Sequence, residues 1–447
     1  MYLDFIWDVF REHKDSDAII WRSEAYSYGW LLAGVERWRL RLAEEALPKG
    51  SVASLEADFS PNSIALMLAL IEHECIIVPL TPTVEAKKPE FREVAEVENV
   101  IEVGNDDHVR FTKTGTVAQH DVLLSLKNQG RPGLILFSSG STGKNKAAVH
   151  DFSGILEKFK TRRRSMRTIV FLLFDHIGGV NTLLYTLSNG GCVITVQDRS
   201  PDAVCRTIEQ HRAELLPTSP TFINLLLLSE AYARRDLSSL RLVTYGTEVM
   251  PESTLARFRE LFPNVQLQQT YGLSEVGILR SKSKSSDSLW VKIGGEGFET
   301  RIVDGMLEVK AHSAMIGYLN APTPFTEDGW FQTGDVVEVD GEYMRFRGRA
   351  SEIINVGGEK VYPAEVESVL QTMDGVDDVA VSGEANAITG HIVKAKVKLN
   401  SDETVAQFSK RMRVFCRGKL HSFKIPQKVV LVDEGMHGER FKKMRTA

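Results

Sequence analysis

From the N-terminus to about residue 245, short apolar runs alternate with amphipathic stretches of helical period. Ser27 can cap a helix running to about residue 46, closed by Pro48-Lys49-Gly50, and 51–55 then reads as a strand. Ser60-Pro61 opens a second helix, with serine as cap and proline in the first turn. Residues 75–80 make another short strand, and Leu134-Ile135-Leu136 a third, buried one. Asp151 caps a basic helix; 168–174 is a very apolar strand, broken by Asp175-His176-Ile177-Gly178-Gly179. A helix then runs to Ser188-Asn189-Gly190-Gly191, 192–196 is a strand, Ser200-Pro201 opens a helix, and 240–245 is again a strand. Apolar strands between amphipathic helices predict a parallel sheet covered on both faces, a doubly wound α/β body. Ligands gather where the strands of such a sheet end. That places the loop before Lys146, Asp175-His176 and Tyr245-Gly246-Thr247 on one side of the molecule.

The pattern changes from about Trp290. Asp304-Gly305 and Asp340-Gly341 each separate β-rich runs, a hairpin signal. They predict an antiparallel β-rich subdomain over about 285–347. A helix after Pro363, strands near 376–383 and 391–399, and a helix across 402–417 predict a small α+β lid. The expected domains are a large body, 1–348, and a C-terminal lid, 349–447.

A chain of 447 residues can bury more than one core. Its 43% hydrophobic and 25% charged content is that of an ordinary soluble protein, and a net charge of −5 gives no reason to expect nucleic acid or an anionic membrane as partner. The four cysteines, Cys75, Cys192, Cys205 and Cys416, are scattered and make no Cys-x-x-Cys, so neither a zinc site nor a disulfide framework is indicated. Reduced thiols fit a cytoplasmic enzyme. Met1-Tyr2-Leu3-Asp4 does not open a signal peptide, and no apolar run approaches the ~20 residues of a membrane span.

One stretch breaks the alternation abruptly: Phe137-Ser138-Ser139-Gly140-Ser141-Thr142-Gly143-Lys144-Asn145-Lys146-Ala147. Glycines let backbone N–H groups approach an anion, hydroxyls add donors, and lysine brings a mobile charge. The loop reads as a phosphate cradle, or as a plain polar surface loop; it is not the Walker form, because no lysine–hydroxyl pair closes it. Four further segments bear on the choice. Thr270-Tyr271-Gly272-Leu273-Ser274-Glu275 offers a flat ring and a hard oxygen ligand for magnesium. Thr333-Gly334-Asp335 presents a carboxylate able to hold two ribose hydroxyls. The run from Gly348-Arg349 to Glu367 joins the β-rich subdomain to the lid, and Phe441-Lys442-Lys443-Met444-Arg445 closes the chain.

Loop, tyrosine–glutamate, Thr-Gly-Asp, Gly-Arg junction and terminal lysine, in that order, resemble the adenylate-forming superfamily: acyl- and aryl-CoA ligases, adenylation domains of peptide synthetases, and luciferases. Motifs carry the resemblance from about residue 134 onward, and pattern alone carries the first 130. The resemblance implies that Ser138, Ser139, Gly140, Ser141, Thr142, Gly143 and Lys146 hold the phosphates of ATP. Tyr271 would stack on adenine, Ser274 touch phosphate, and Glu275 bind Mg2+. Gly246, Thr247 and Gly272 would line the nucleotide, and Asp335 and Arg349 hold the ribose. Asp175, His176, Tyr245, Gly246, Gly272, Val276 and Gly277 would border the acid, with His176 as a gate or as a packed histidine. Lys442 would steady the charge that develops as the acid joins the nucleotide. The family's motif there is Gly-Lys-x-x-Arg; here Phe441 replaces the glycine, Lys443 is a close rival, and a solvated basic tail is the plain alternative. The lid would rotate about Ser351, and Gly357-Gly358 would line a thiol tunnel or form a simple turn.

What the resemblance implies is an ATP-dependent ligase that makes an acyl-adenylate and then a thioester. Coenzyme A is the expected thiol. The phosphopantetheine arm of an acyl or peptidyl carrier protein is the alternative, and Arg347, Arg349 and Lys360 suit either. A non-catalytic nucleotide binder is disfavoured by the presence of Lys146, Glu275, Asp335, Arg349 and a terminal lysine.

Overall fold

Two seven-stranded sheets share out the strand–helix alternation of the N-terminal part. The computed structural model describes residues 1–139, 144–438 and 441–445. In spatial order the first sheet holds Gly317–Tyr318, Asn145–Asp151, Gly133–Ser139, Ile76–Leu80, Val52–Glu56, Asn99–Val103 and Val109–Lys113. Its four strands from Gly133–Ser139 to Asn99–Val103 run parallel, with antiparallel partners outside them. The second sheet holds Gln266–Gln269, Leu242–Tyr245, Leu215–Thr218, Arg167–Ile169, Cys192–Ile194, Asp17–Trp21 and Glu24–Ser27. All but the last are parallel. The doubly wound pattern is therefore split in two, and the N-terminal strand reaches across to pair Ile19 with Val193.

Helix Pro61–Glu72 shows why the sheets come together. Ser60 and Ser63 close a reciprocal capping box with Pro61 in the first turn, a cap that contributes about 1 kcal/mol. From Ile64 to Ile71 every residue is fully buried. A helix that is apolar on all sides must be covered on all sides, and this one shares a core with Tyr28–Glu44, Ile177–Ser188 and strand residues of both sheets.

Two expected elements are shorter than their composition indicated. The strand expected over 168–174 ends at Ile169. Val170 and Phe174 stay buried, but the chain turns toward the helix, with the His176 N–H donating to the Leu173 carbonyl. Burial alone cannot tell a buried strand from a buried turn. The basic helix after Asp151 is only Phe152–Leu156, and Lys160, Arg162, Arg163 and Arg164 lie exposed beyond it.

The β-rich part is a six-stranded sheet from Ser281–Ser283 to Tyr343–Arg349, slightly wider than the predicted 285–347. Asp304 and Gly305, at φ +50° and +76°, turn Phe298–Val303 into Met306–Ala311. Phe331–Asp340 and Tyr343–Arg349 pair around the second hairpin. The C-terminal unit packs Pro363–Leu370 and Val405–Cys416 on a sheet of Glu359–Val361, Ile354–Val356, Gly390–Leu399, Val376–Asn386 and Lys428–Leu431. All four cysteines are free and buried. No described helix is long and apolar enough to cross a membrane.

Candidate functional site

The strand Gly133–Ser139 delivers Ser138 to the rim of the first sheet, directly opposite Lys146 on its antiparallel partner. Gly140, Ser141, Thr142 and Gly143 lie outside the described residues, as does the side chain of Ser139. The Ser138 hydroxyl donates to Glu275 Oε1 at 3.3 Å. Tyr318 donates to the same oxygen at 2.8 Å, and Lys146 Nζ stands 5.2 Å from the centre of the Tyr318 ring. Burial and the Glu275 charge push the Tyr318 phenol well up, so it remains a donor. Tyr318 was absent from the sequence reading. Its short strand, Gly317–Tyr318, joins the edge of Asn145–Asp151, and that pairing alone brings it here.

Below this cluster the turn of Ser274 and Glu275 is pinned by His150. Its buried ring sets Nε2 2.6 Å from the Ser274 carbonyl and Nδ1 3.1 Å from the Ser313 carbonyl. Burial lowers its pKa. The neutral ring has one N–H and donates to one of the two carbonyls; replacing His150 with alanine leaves that carbonyl without its donor and is expected to cost about 1–3 kcal/mol of stability. Thermal melts check this; a His150→Ala protein that melts with its parent removes the ring's structural role.

A second cluster lies alongside. The Tyr271 phenol donates to Asp335 Oδ2 at 2.7 Å, and Arg349, opposite Asp335 in the hairpin, sets Nε 3.4 Å from Oδ1. The Tyr271 ring stacks on Phe346 at 4.6 Å and 16°. Thr333 fixes the turn, accepting from the Asp335 N–H and donating to the Leu307 carbonyl. Burial raises the pKa of Asp335, while Arg349, Tyr271 and Lys442 oppose the rise. Arg349 also acts on the Tyr318 phenol, so the two clusters are neighbours.

Gly246 leaves its strand where a Cβ would meet Thr270 Oγ1 at 2.8 Å. Thr247 follows at φ +72°, a left-handed conformation that costs a β-branched residue energy and marks a constrained segment. Glu248 accepts from the Thr221 N–H through Oε1 and from the Lys443 N–H through Oε2. The C-terminal lysines thus separate. The Lys443 side chain is buried in the lid, 2.8 Å from the Val379 carbonyl and 3.5 Å from Asp378. The charge of Lys442 is felt by Arg349, Glu352 and Glu248, and no ion pair holds its side chain among the described residues. Its side chain keeps solvent-accessible surface, yet desolvation by the cleft, and then Arg349, lower its pKa.

The residues expected around the acid are placed less uniformly. His176 caps Ile177–Ser188, its Nδ1 accepting from the Gly178 N–H at 3.0 Å. Asp175 is buried and accepts from the Thr81 hydroxyl at 2.9 Å, a tie between the two sheets. Tyr245 and Val276 were expected to face a pocket, but both belong to packed cores. The Tyr245 hydroxyl donates to Gln269 at 3.4 Å. Gly272 and Gly277 lie in a hairpin so close that a Cβ on Gly272 would meet the Gly277 carbonyl oxygen at 2.7 Å. Gly357 and Gly358, at φ +61° and +94°, form an exposed two-residue turn between Ile354–Val356 and Glu359–Val361. Ser351 sits in the turn Ala350–Glu352. A separate cleft of about 450 Å³, lined by Asp58, Asp106 and Arg110 among others, includes none of these residues.

The described residues thus bring together a tyrosine ring, a carboxylate–guanidinium pair and the Ser138, Lys146 and Glu275 group. Comparison with known proteins identifies the family. The 2-succinylbenzoate–CoA ligase of Enterococcus faecalis is 28% identical over 66% of this chain and 64% of its own length. The indoleacetate–CoA ligase of Aromatoleum aromaticum is 29% identical over 68% of this chain, which spans 64% of that relative's length. Among solved structures, the anthranilate CoA ligase AuaEII in complex with anthranoyl-AMP superposes with a TM-score of 0.80 at 18% identity, covering 97% of this chain and 93% of that one. The amide bond synthetase McbA of Marinactinospora thermotolerans gives 0.78 at 22% identity, covering 100% and 98%. The family model "AMP-binding enzyme" matches residues 6–313 and that of the AMP-binding enzyme C-terminal domain matches 365–442. The chain belongs to the AMP-binding, adenylate-forming enzymes.

Proposed function

We propose that the chain activates a carboxylic acid with ATP and transfers the acyl group to the thiol of coenzyme A. The observation that carries this reading is the Tyr271–Asp335–Arg349 cluster standing with Ser138, Lys146 and Glu275 at the ends of neighbouring strands, with the charge of Lys442 acting on Asp335. The domains proposed are a body over 1–348 and a lid over 349–447, turning near Ser351.

In the first half-reaction a carboxylate oxygen bonds to the α-phosphorus, the bond from that phosphorus to the bridging oxygen breaks, and pyrophosphate leaves with the electron pair. Such a step needs positioning and charge neutralisation more than proton transfer, because the acid is already ionised at neutral pH. Lys146 and the adjoining loop hold the phosphates, Asp335 and Arg349 the ribose, and Lys442 balances the growing negative charge. His176 stands at the helix start as the gate to the acid. Glu275, with one oxygen held by Tyr318 and Ser138, fits a magnesium ion, which uses one or two carboxylates and takes its other ligands from phosphates and water. In the second half-reaction the thiol sulfur bonds to the acyl carbon and AMP leaves with the electron pair, the thiol proton passing to solvent.

The acid–CoA ligases among the relatives favour coenzyme A over a carrier protein as acceptor. Pyrophosphate release over a panel of fatty, aryl and amino acids tests the first step, and thioester formation with coenzyme A against a phosphopantetheinylated carrier protein tests the second. At least one fatty or aryl acid is expected to turn over, with coenzyme A as the better acceptor. Absence of exchange with every acid defeats the reading, and exclusive use of the carrier protein replaces coenzyme A.

A further inference from the structure

Residues 436–438 and 442–444 form a narrow hairpin at the end of the lid. The Met444 N–H donates to the Met436 carbonyl at 2.8 Å, the Gly438 N–H to the Lys442 carbonyl at 3.1 Å, and His437 bridges Lys443. Phe441 keeps its N–H on the Gly438 carbonyl but turns its ring toward the body. Its ring lies 5.1 Å from that of Phe171 and 5.5 Å from that of Phe222, both fully buried in the body, with His437 stacked behind it at 5.5 Å. Its carbonyl accepts from the Ser219 hydroxyl at 2.6 Å, and the same hydroxyl caps helix Pro220–Ser229.

The backbone at Phe441 is left-handed, φ +48°. That conformation suits glycine and strains an aromatic residue. The resembling motif has glycine at this position. A phenylalanine that accepts the strain must gain from its side chain, and the contacts show where: an aromatic cluster of the other domain. Its neighbours divide the work. The charge of Lys442, next in the chain, is felt by Arg349, Glu352 and Glu248, while Lys443 and Arg445 bind Asp378, Val379 and Glu367 within the lid. A lid turning about Ser351 carries the latter contacts with it. The contacts it must break at the tail are those of Phe441 with Phe171 and Phe222, of Ser219 with the Phe441 carbonyl, and of Glu248 with the Lys443 N–H.

We propose that Phe441 is a positioning residue that seats Lys442: its ring plugs the lid hairpin into the body's aromatic core and holds the adenylating arrangement until the ring is withdrawn for thiol transfer. This rests on the reading of the chain as an acid-activating ligase. It makes a two-step enzyme asymmetric, since the plug aids the first half-reaction and must be undone for the second.

Phe441→Ala is expected to lower pyrophosphate exchange by roughly 10- to 100-fold, the scale on which a small misplacement of a reacting group acts. The KM for the acid stays near that of the parent. Thioester formation from supplied acyl-adenylate is unchanged or faster. Phe441→Leu, which keeps an apolar plug, recovers most of the exchange. A dye pair on body and lid reads the same latch without chemistry, and Phe441→Ala is expected to shift its distance distribution away from the parent's. Equal loss in both half-reactions, unaltered exchange in Phe441→Ala, or an unmoved dye distribution each overturns the plug. A parent that exchanges pyrophosphate alongside an unaffected variant overturns the plug alone; a parent that never exchanges with any acid defeats the ligase reading beneath it.

Discussion

Alanine at Lys442 is expected to slow adenylate formation by about 10²- to 10³-fold, the loss that follows removal of one preorganised charge-stabilising donor. Thioester formation from supplied acyl-adenylate should stay within a few-fold of the parent, because the role proposed for this lysine is confined to the step in which pyrophosphate leaves. The expectation follows from the division of the two lysines. The charge of Lys442 is felt by Arg349, Glu352 and Glu248, whereas Lys443 is held by Val379 and Asp378. Lys443→Ala should therefore lower the melting temperature and leave the adenylation rate close to the parent's. The reverse outcome, a rate loss confined to Lys443→Ala, reassigns the residue. Desolvation and Arg349 lower the Lys442 pKa from 10.5. The charged form does the work, so the alkaline limb of adenylation should fall below the ordinary lysine range. Lys442→Arg, which stays protonated, should lose that limb even where its rate is reduced.

The second large effect concerns stability. Glu367 is buried, and Arg445 grips both its oxygens at 2.9 Å while reaching Glu352 at 2.9 Å with its remaining nitrogen. Removing one partner of such a pair strands a buried charge, at about 3–5 kcal/mol. Arg445→Ala should destabilise the lid by that amount at neutral pH, and a second change, Glu367→Leu, should recover much of it. The pH dependence should change sign. In the parent, burial acts to raise the Glu367 pKa, but Arg445 and Lys443 outweigh it and hold the carboxyl below its usual 4.5. The stability so gained is present above that pH and is lost as pH falls through the depressed value. Without Arg445, only Lys443 and the Val381 N–H oppose burial, and the folded pKa is expected to rise. Stability is then greatest in acid and is lost as pH increases through the raised value. Melts from pH 4 to 8 distinguish the two, and an Arg445→Ala protein with the parent's profile contradicts the account.

The candidate site was legible in part. Asp335 and Arg349 stand opposite one another because two short motifs fall on paired strands of one hairpin. Glu275 was found from its neighbours in the chain, but its donor Tyr318 was not, because nothing local marks a tyrosine whose strand joins a distant edge. Asp175 was read as a contact for the acid, and its partner is Thr81 of the other sheet. The resemblance puts Tyr245 and Val276 beside the acid, and both side chains are packed in cores, since apolar residues at strand ends serve equally as wall or filling.

Features settled within a few residues could be read from the chain alone. Ser27, Ser60 and Ser200 cap the helices they were expected to cap, and Asp304-Gly305 turns its hairpin. Each depends on hydrogen bonds and dihedral preferences that close locally. Long-range packing was needed to show that the first strand joins Cys192–Ile194, that Lys443 is held by Val379 and Asp378, and that the Phe441 ring reaches the body. Those outcomes depend on which distant surfaces meet, and the energy that selects among them comes from burying side chains the chain separates by hundreds of residues.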